Sequence, residues 1–169
     1  MPPRADGAMT PGLVALPKNL RLLEVLEDEQ GNRVDPEVLR GKMVGIYFSA
    51  GWCPPCQSFS PVLSKWAGER PNEVVIVFCS FDKSLHEMET YINGKGFLRL
   101  PYTPISARTK CAQSFGVQAL PTLVIVNGDT GAVVTTWGRC AVTKNPSGCL
   151  EEWQAGKHGV SWFQLIKPW

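Results

Sequence analysis

The run Met43-Val44-Gly45-Ile46-Tyr47-Phe48-Ser49-Ala50-Gly51-Trp52-Cys53-Pro54-Pro55-Cys56 decides the fold, because the hydrophobic pattern changes period across it. Residues 43–48 are a short, continuous apolar run, the kind that fills a strand buried on both faces. Past the second cysteine, Phe59, Val62, Leu63, Trp66 and Ala67 fall at i, i+3, i+4, i+7 and i+8, which is one stripe of a helix. The Cys-x-x-Cys pair therefore lies where a strand hands over to a helix. That helix is expected to begin near Pro54 or Pro55, where a missing amide proton costs nothing. Pro61 lies inside it and is expected to kink it.

Outward from this junction the same reasoning places the other elements. Residues 74–80, dense in β-branched side chains, read as a second buried strand. Ser84 and Glu87 form a Ser-x-x-Glu capping box for a helix reaching about Lys95, closed by Gly94 and Gly96. A short helix over 108–115 precedes Gly116-Val117-Gln118-Ala119-Leu120-Pro121, and strands at 122–126 and 132–136 flank the hairpin turn Asn127-Gly128-Asp129-Thr130-Gly131. Upstream, residues 20–26 read as an edge strand turning at Gln30-Gly31-Asn32. Residues 1–17 hold four prolines and no apolar period, so residues 1–19 are expected to be a flexible arm. Beyond Pro146 the pattern is less regular, although Trp153, Trp162, Phe163 and Trp169 imply that parts of it pack on the body. The order of elements argues for an α/β protein with a mixed central sheet.

Composition narrows the function classes. The 169 residues make one domain's worth of core, and 44% hydrophobic with 19% charged residues excludes a disordered or fibrous chain. Seventeen Lys and Arg against fifteen Asp and Glu leave a formal charge of +2 without a basic run, so neither nucleic acid nor a membrane surface is the expected partner. No apolar run approaches the roughly 18 residues that a spanning helix needs. The first residues carry no apolar core of a secretory signal, which favours the cytosol.

Of six cysteines, at 53, 56, 79, 111, 140 and 149, only Cys53 and Cys56 are spaced as a motif. Half of a zinc site is one reading, but it needs two more ligands. There is no second Cys-x-x-Cys, and His86 and His158 are isolated, so no metal is expected. A purely structural disulfide would close too short a loop to constrain much. A dithiol that cycles with a disulfide needs both sulfurs within bonding reach, and one helical turn supplies that. The helix entrance favours negative charge on the first sulfur. Cys53 is thus the expected nucleophile, and the more buried Cys56 attacks the resulting mixed disulfide. No cofactor is required. Cys79 reads as a small core hydrophobe, and Cys111, Cys140 and Cys149 carry no signal in their spacing beyond an optional Cys140–Cys149 pair.

The segment resembles the active site of the thioredoxin superfamily, and closely that of its tryparedoxin branch. Tyr47-Phe48-Ser49-Ala50 before Trp52-Cys53-Pro54-Pro55-Cys56, Pro61 beyond it, Leu120-Pro121-Thr122-Leu123, and Asp129-Thr130-Gly131 before Val133-Val134-Thr135-Thr136 match in order and spacing. The resemblance implies a thioredoxin fold over residues 20–153, a mixed sheet with helices on both faces, followed by an irregular tail at 154–169. It implies a redox-active disulfide between Cys53 and Cys56, and a cis bond before Pro121. A substrate-binding surface would be made by Trp52, Pro54, Pro55, Leu120 and Pro121. It also implies electron flow from the dithiol trypanothione to peroxidases and other disulfide proteins. A monomer in the cytoplasm is expected. Tyr47 stands where many thioredoxins carry a buried carboxylate, as it does in tryparedoxins.

Three positions depart from that branch: Gln57, Lys83 and Trp137 stand where it usually has Arg, an acid and Arg. Lys83 would repel the protonated amine of trypanothione. Asp82 and Arg139 stand near enough in sequence to compensate. Two rival functions share the motif: a disulfide oxidase or isomerase, which would need a higher potential, and a nucleoredoxin-like adaptor that binds a partner in a redox-dependent way through the tryptophan-bearing end of the chain.

Overall fold

A computed structural model describes residues 16–161 and 163. Its elements run β1 (Leu26–Glu27), β2 (Arg33–Val34), β3 (Met43–Ser49), α1 (Pro54–Gly68), β4 (Val74–Ser80), α2 (Leu85–Ile92), β5 (Leu98–Arg99), α3 (Ile105–Ser114), β6 (Thr122–Asn127), β7 (Val133–Thr135), α4 (Gly138–Lys144) and α5 (Cys149–Gln154), with 3-10 turns at Lys18–Leu23 and Pro36–Leu39. The seven strands form one sheet in the order β2-β1-β5-β4-β3-β6-β7. The three central neighbours β3, β4 and β5 run parallel, whereas β6 lies antiparallel to β3. This is the mixed sheet of a thioredoxin fold. Among the described residues no helix is long and apolar enough to cross a membrane.

Alternation along β3 divides the core. Met43 and Tyr47 point to one face, against Phe59, Leu63 and Trp66 of α1, Met88 and Ile92 of α2, and Val142, Leu150 and Trp153 of α4 and α5. Val44, Ile46 and Phe48 point to the other, against Leu20, Leu23, Leu39 and Ala112 of α3. Helical layers thus cover both faces, which is why every residue of β3 is buried. Gly45 has no room for a side chain, since a Cβ there would meet Ile76 Cδ1 at 2.7 Å and Leu123 Cδ1 at 2.9 Å.

The structure corrects several expectations. Residues 20–26 are not an edge strand: Lys18–Leu23 is a 3-10 turn and only Leu26–Glu27 joins the sheet. Leu20 and Leu23, both fully buried, stand three apart on one side of the 3-10 turn, and Leu26 is buried from β1. The helix α1 continues through Pro61 to Gly68. The second helix stops at Ile92, where Asn93 turns extended, and Gly94 and Gly96 follow at φ 78° and 72°. α3 starts three residues before its expected position, at Ile105. Beyond Pro146 the chain is more regular than expected, because α5 buries Trp153 edge-on against Trp66 at 5.5 Å. The expectations for residues 1–15 and for Trp162 and Trp169 lie outside the described residues.

Candidate active site

Cys53 is the N-cap of α1, with Pro54 and Pro55 as the first helical residues. Because neither proline carries an amide hydrogen, the first backbone donor of the helix is that of Cys56, and the entrance offers fewer donors to the Cys53 sulfur than its position alone predicts. Cys53 and Cys56 pack together with Ala50 in one small buried cluster. Cys53 keeps 6% exposure and Cys56 none, so the expected order of access holds although both are buried. Across the cleft the Leu120–Pro121 peptide is cis, and the Leu120 carbonyl lies 3.9 Å from Cys53 Sγ as its acceptor.

The loop before the cysteines is pinned on both sides. The Gly51 amide donates to Asp82 Oδ1 at 2.7 Å, and Gln57 Nε2 donates to the Gly51 carbonyl at 2.6 Å. Asp82 is 2% exposed, its other oxygen accepting from Ser80 Oγ at 2.7 Å. Asp82 is therefore committed to the loop. Buried Arg108 grips the same corner, donating to the carbonyls of Ser80 and Asp82 at 2.9 Å each. The Trp52 indole donates to the Phe81 carbonyl at 2.9 Å and stays half-exposed. The partly buried side chains of Phe81, Tyr91 and Leu120 pack against Ala50, Cys53 and Cys56.

Near Cys56 runs a line of hydroxyls. Ser49 stands close enough to act on the Cys56 thiol, Ser49 Oγ lies 3.3 Å from Tyr91 Oη, Tyr91 Oη 2.5 Å from Ser60 Oγ, and Ser60 Oγ 2.8 Å from Tyr47 Oη. Ser49, Ser60 and Tyr47 are fully buried, whereas Tyr91 reaches a cleft shared with Gly51, Trp52 and His86. Burial pushes the Cys56 thiol up to about 11, and the Cys53 sulfur beside it adds to the shift. Burial also raises the Tyr47 and Tyr91 phenols above their ordinary range. A thiol of this kind keeps its proton until something takes it.

The structure brings Cys53, Cys56, Leu120 and Pro121 together and leaves Pro54 and Pro55 exposed at the rim. Of the three departing positions, Gln57 is spent on Gly51, and Lys83 is exposed beside its own backbone contact to Glu87. Trp137 stacks on His158 at 5.0 Å. Sequence reasoning missed Ser49, Ser60, Tyr91 and Arg108. Only Ser49 lies in the motif run, and nothing in its neighbours signals a hydroxyl chain.

A thioredoxin fold with a Cys-x-x-Cys pair at a strand-to-helix junction defines a class, the thiol-disulfide oxidoreductases. A family model described as thioredoxin-like matches residues 41–133, and the chain belongs to that family. Within it the chain is similar to tryparedoxin of Trypanosoma brucei brucei, 36% identical over 68% of this chain and 81% of that protein. It is also 36% identical to mouse nucleoredoxin over 72% of this chain, but that match spans only 28% of nucleoredoxin. A solved tryparedoxin II complexed with glutathionylspermidine superposes with a TM-score of 0.69 at 29% identity, covering 78% of this chain and 95% of that one. The protein is thus a thioredoxin-like oxidoreductase related to tryparedoxin and nucleoredoxin.

Proposed function

We propose that the chain reduces protein disulfides, peroxidases among them, with electrons from a low-molecular-weight dithiol of the trypanothione type, acting as a monomer in the cytoplasm. The observation that carries this reading is the unequal pair at the start of α1, with Cys53 6% exposed beneath the Leu120 carbonyl and Cys56 fully buried beside it. The Cys53 thiolate attacks one sulfur of the substrate disulfide, and the other sulfur leaves and takes a proton. Cys56 then gives up its proton and attacks Cys53 Sγ. The second substrate sulfur leaves as a thiol, and a Cys53–Cys56 disulfide remains for the donor to reduce. Leu120, Pro121, Trp52, Pro54 and Pro55 line the face to which an extended substrate segment would dock.

Among the described residues the buried carboxylate is Asp82, and its two oxygens are taken by the Gly51 amide and the Ser80 hydroxyl. The Ser49–Tyr91 line supplies a path from its thiol to the cleft, each hydroxyl giving one proton as it receives another, so that neither high-lying phenol has to hold charge.

The related tryparedoxin that binds glutathionylspermidine supports a polyamine–thiol donor. With Gln57 and Trp137 turned to other partners and Lys83 cationic, such a donor loses up to three charge contacts of about 0.2 to 1 kcal/mol each, so its reduction step should be about ten- to a hundred-fold slower than in typical tryparedoxins. Stopped-flow reduction of the oxidised chain by trypanothione tests this. Lys83→Glu should recover part of the deficit, more at low salt than at high. A wild type as fast as its relatives would show that these positions do not read the donor.

A further inference from the structure

Residues 80–82, at the end of β4, form the bracket on which the cysteine loop hangs. Two consecutive residues of that loop attach to it: the Gly51 amide donates to Asp82 Oδ1 at 2.7 Å, and the Trp52 indole to the Phe81 carbonyl at 2.9 Å. From the far side the bracket is held by one side chain. Arg108 of α3, 7% exposed, donates through Nη1 to the Ser80 and Asp82 carbonyls at 2.9 Å each, through Nε to the Thr103 carbonyl at 2.9 Å, and through Nη2 to Tyr102 Oη at 3.3 Å. Tyr102 Oη in turn donates to the Asp82 carbonyl at 3.2 Å, and the guanidinium lies over its ring at 4.5 Å. None of the ion pairs among the described residues includes Arg108. A cation buried without a carboxylate costs desolvation energy that carbonyl acceptors offset only in part. What Arg108 supplies is geometry, because its rigid fork of donors meets the end of β4 and the 102–103 segment at once.

We infer that Arg108 is a positioning residue for disulfide reduction: by fixing 80–82 it sets the loop that carries Cys53, and with it the direction in which the Cys53 sulfur meets a substrate disulfide. The inference rests on the reading of the chain as a disulfide reductase. Attack on a disulfide needs the attacking, central and leaving sulfurs in line, and a misplacement of about 1 Å can slow such an oriented step about a hundredfold. Cys53 has little freedom to correct a tilt of its loop, since it is 6% exposed with the Leu120 carbonyl 3.9 Å from its sulfur. A small alkylating agent makes no comparable demand on direction.

The test compares two rates in the reduced full chain: oxidation of its dithiol by a disulfide-bonded peptide, and alkylation of Cys53 by iodoacetamide, located by peptide mapping. Arg108→Met, which keeps a long stem and removes the donors, should slow the first about tenfold or more and the second less than twofold, with the buried Cys140 and Cys149 still protected. Arg108→Lys, which keeps the charge without the fork, should recover part of the loss. Should Arg108→Met not fold, Tyr102→Phe decides: it keeps the ring under the guanidinium, removes one bond to the Asp82 carbonyl, and should slow the peptide reaction a few-fold with the iodoacetamide rate unchanged. Variants as fast as the wild type towards the peptide, equal slowing of both reactions, or a loss that appears only as Cys140 and Cys149 become reactive would overturn the inference. A wild type that leaves the peptide disulfide intact would sink the reductase reading and this inference together.

Discussion

At the scale of single residues the chemistry rests on what surrounds each sulfur. Cys56 is enclosed with Ala50 and Cys53, so burial keeps its thiol protonated at neutral pH and its thiolate fraction grows about tenfold per pH unit up to about 11. Release of product from the mixed disulfide should therefore accelerate with pH. Tyr91→Phe and Ser49→Ala should slow that step by about a hundredfold at pH 7, with much smaller losses at pH 10, where hydroxide replaces the relay. Single-turnover release from a Cys53 mixed disulfide checks this, and an equal loss at both pH values would mean a packing role alone. The same burial ties stability to pH. In the folded chain Cys56 and Cys149 hold their protons up to about 11, against 9.0 when unperturbed. Their contribution to stability is complete below pH 9 and is lost as pH rises towards 11, by about 2 to 3 kcal/mol for each thiol. Denaturant unfolding of the reduced protein between pH 8 and 10.5 should show the decline, with a shallower slope for Cys149→Ala.

At the scale of elements, the turns and caps that hold the site in place are open to test. Ser84 Oγ accepts from the Glu87 amide at 3.1 Å, and Glu87 reaches back to the Lys83 amide at 2.9 Å, one residue beyond the usual capping box. Ser84→Ala should cost about 1 kcal/mol. Gly128→Ala should cost more, about 3 kcal/mol, because its Cβ would lie 2.1 Å from the Leu39 carbonyl oxygen and 2.6 Å from that of Lys42, both backbone atoms that do not swing away. Thermal melts of the two variants rank them, and equal melting temperatures would contradict the order. The elements next to the motif were legible because their patterns are unbroken: 43–48 and 74–80 are continuous strands, and the α1 stripe runs over two turns. The stretch 20–26 holds the end of a 3-10 turn and the first residue of a two-residue strand, so no single period runs through it. β1, β2 and β5 are two residues each, too short to show a period. In the site, the dithiol could be read from local spacing, and Pro121 from the resemblance to the tryparedoxin branch. Ser49, Ser60 and Tyr91 could not, since the sheet and two helices bring together hydroxyls that are remote in sequence.

At the scale of the molecule, the mixed sheet is what assembles the site. Parallel pairing of β3 with β4 sets Ser49 beside Ser80, so that Asp82 can seize the Gly51 amide, and antiparallel pairing with β6 delivers Leu120 and Pro121 opposite Cys53. Arg108 of α3 ties the far side of the same corner. The central claim is that this frame presents Cys53 as the attacking sulfur and holds Cys56 in reserve to release the product. Mass spectrometry of the Cys56→Ser variant mixed with oxidised insulin or a peroxidase in its disulfide form tests it most directly. The account predicts a one-to-one covalent adduct through Cys53 that persists until dithiothreitol is added, and no turnover in Cys53→Ser. An adduct through another cysteine, or a Cys53→Ser variant that still reduces the disulfide, would contradict it.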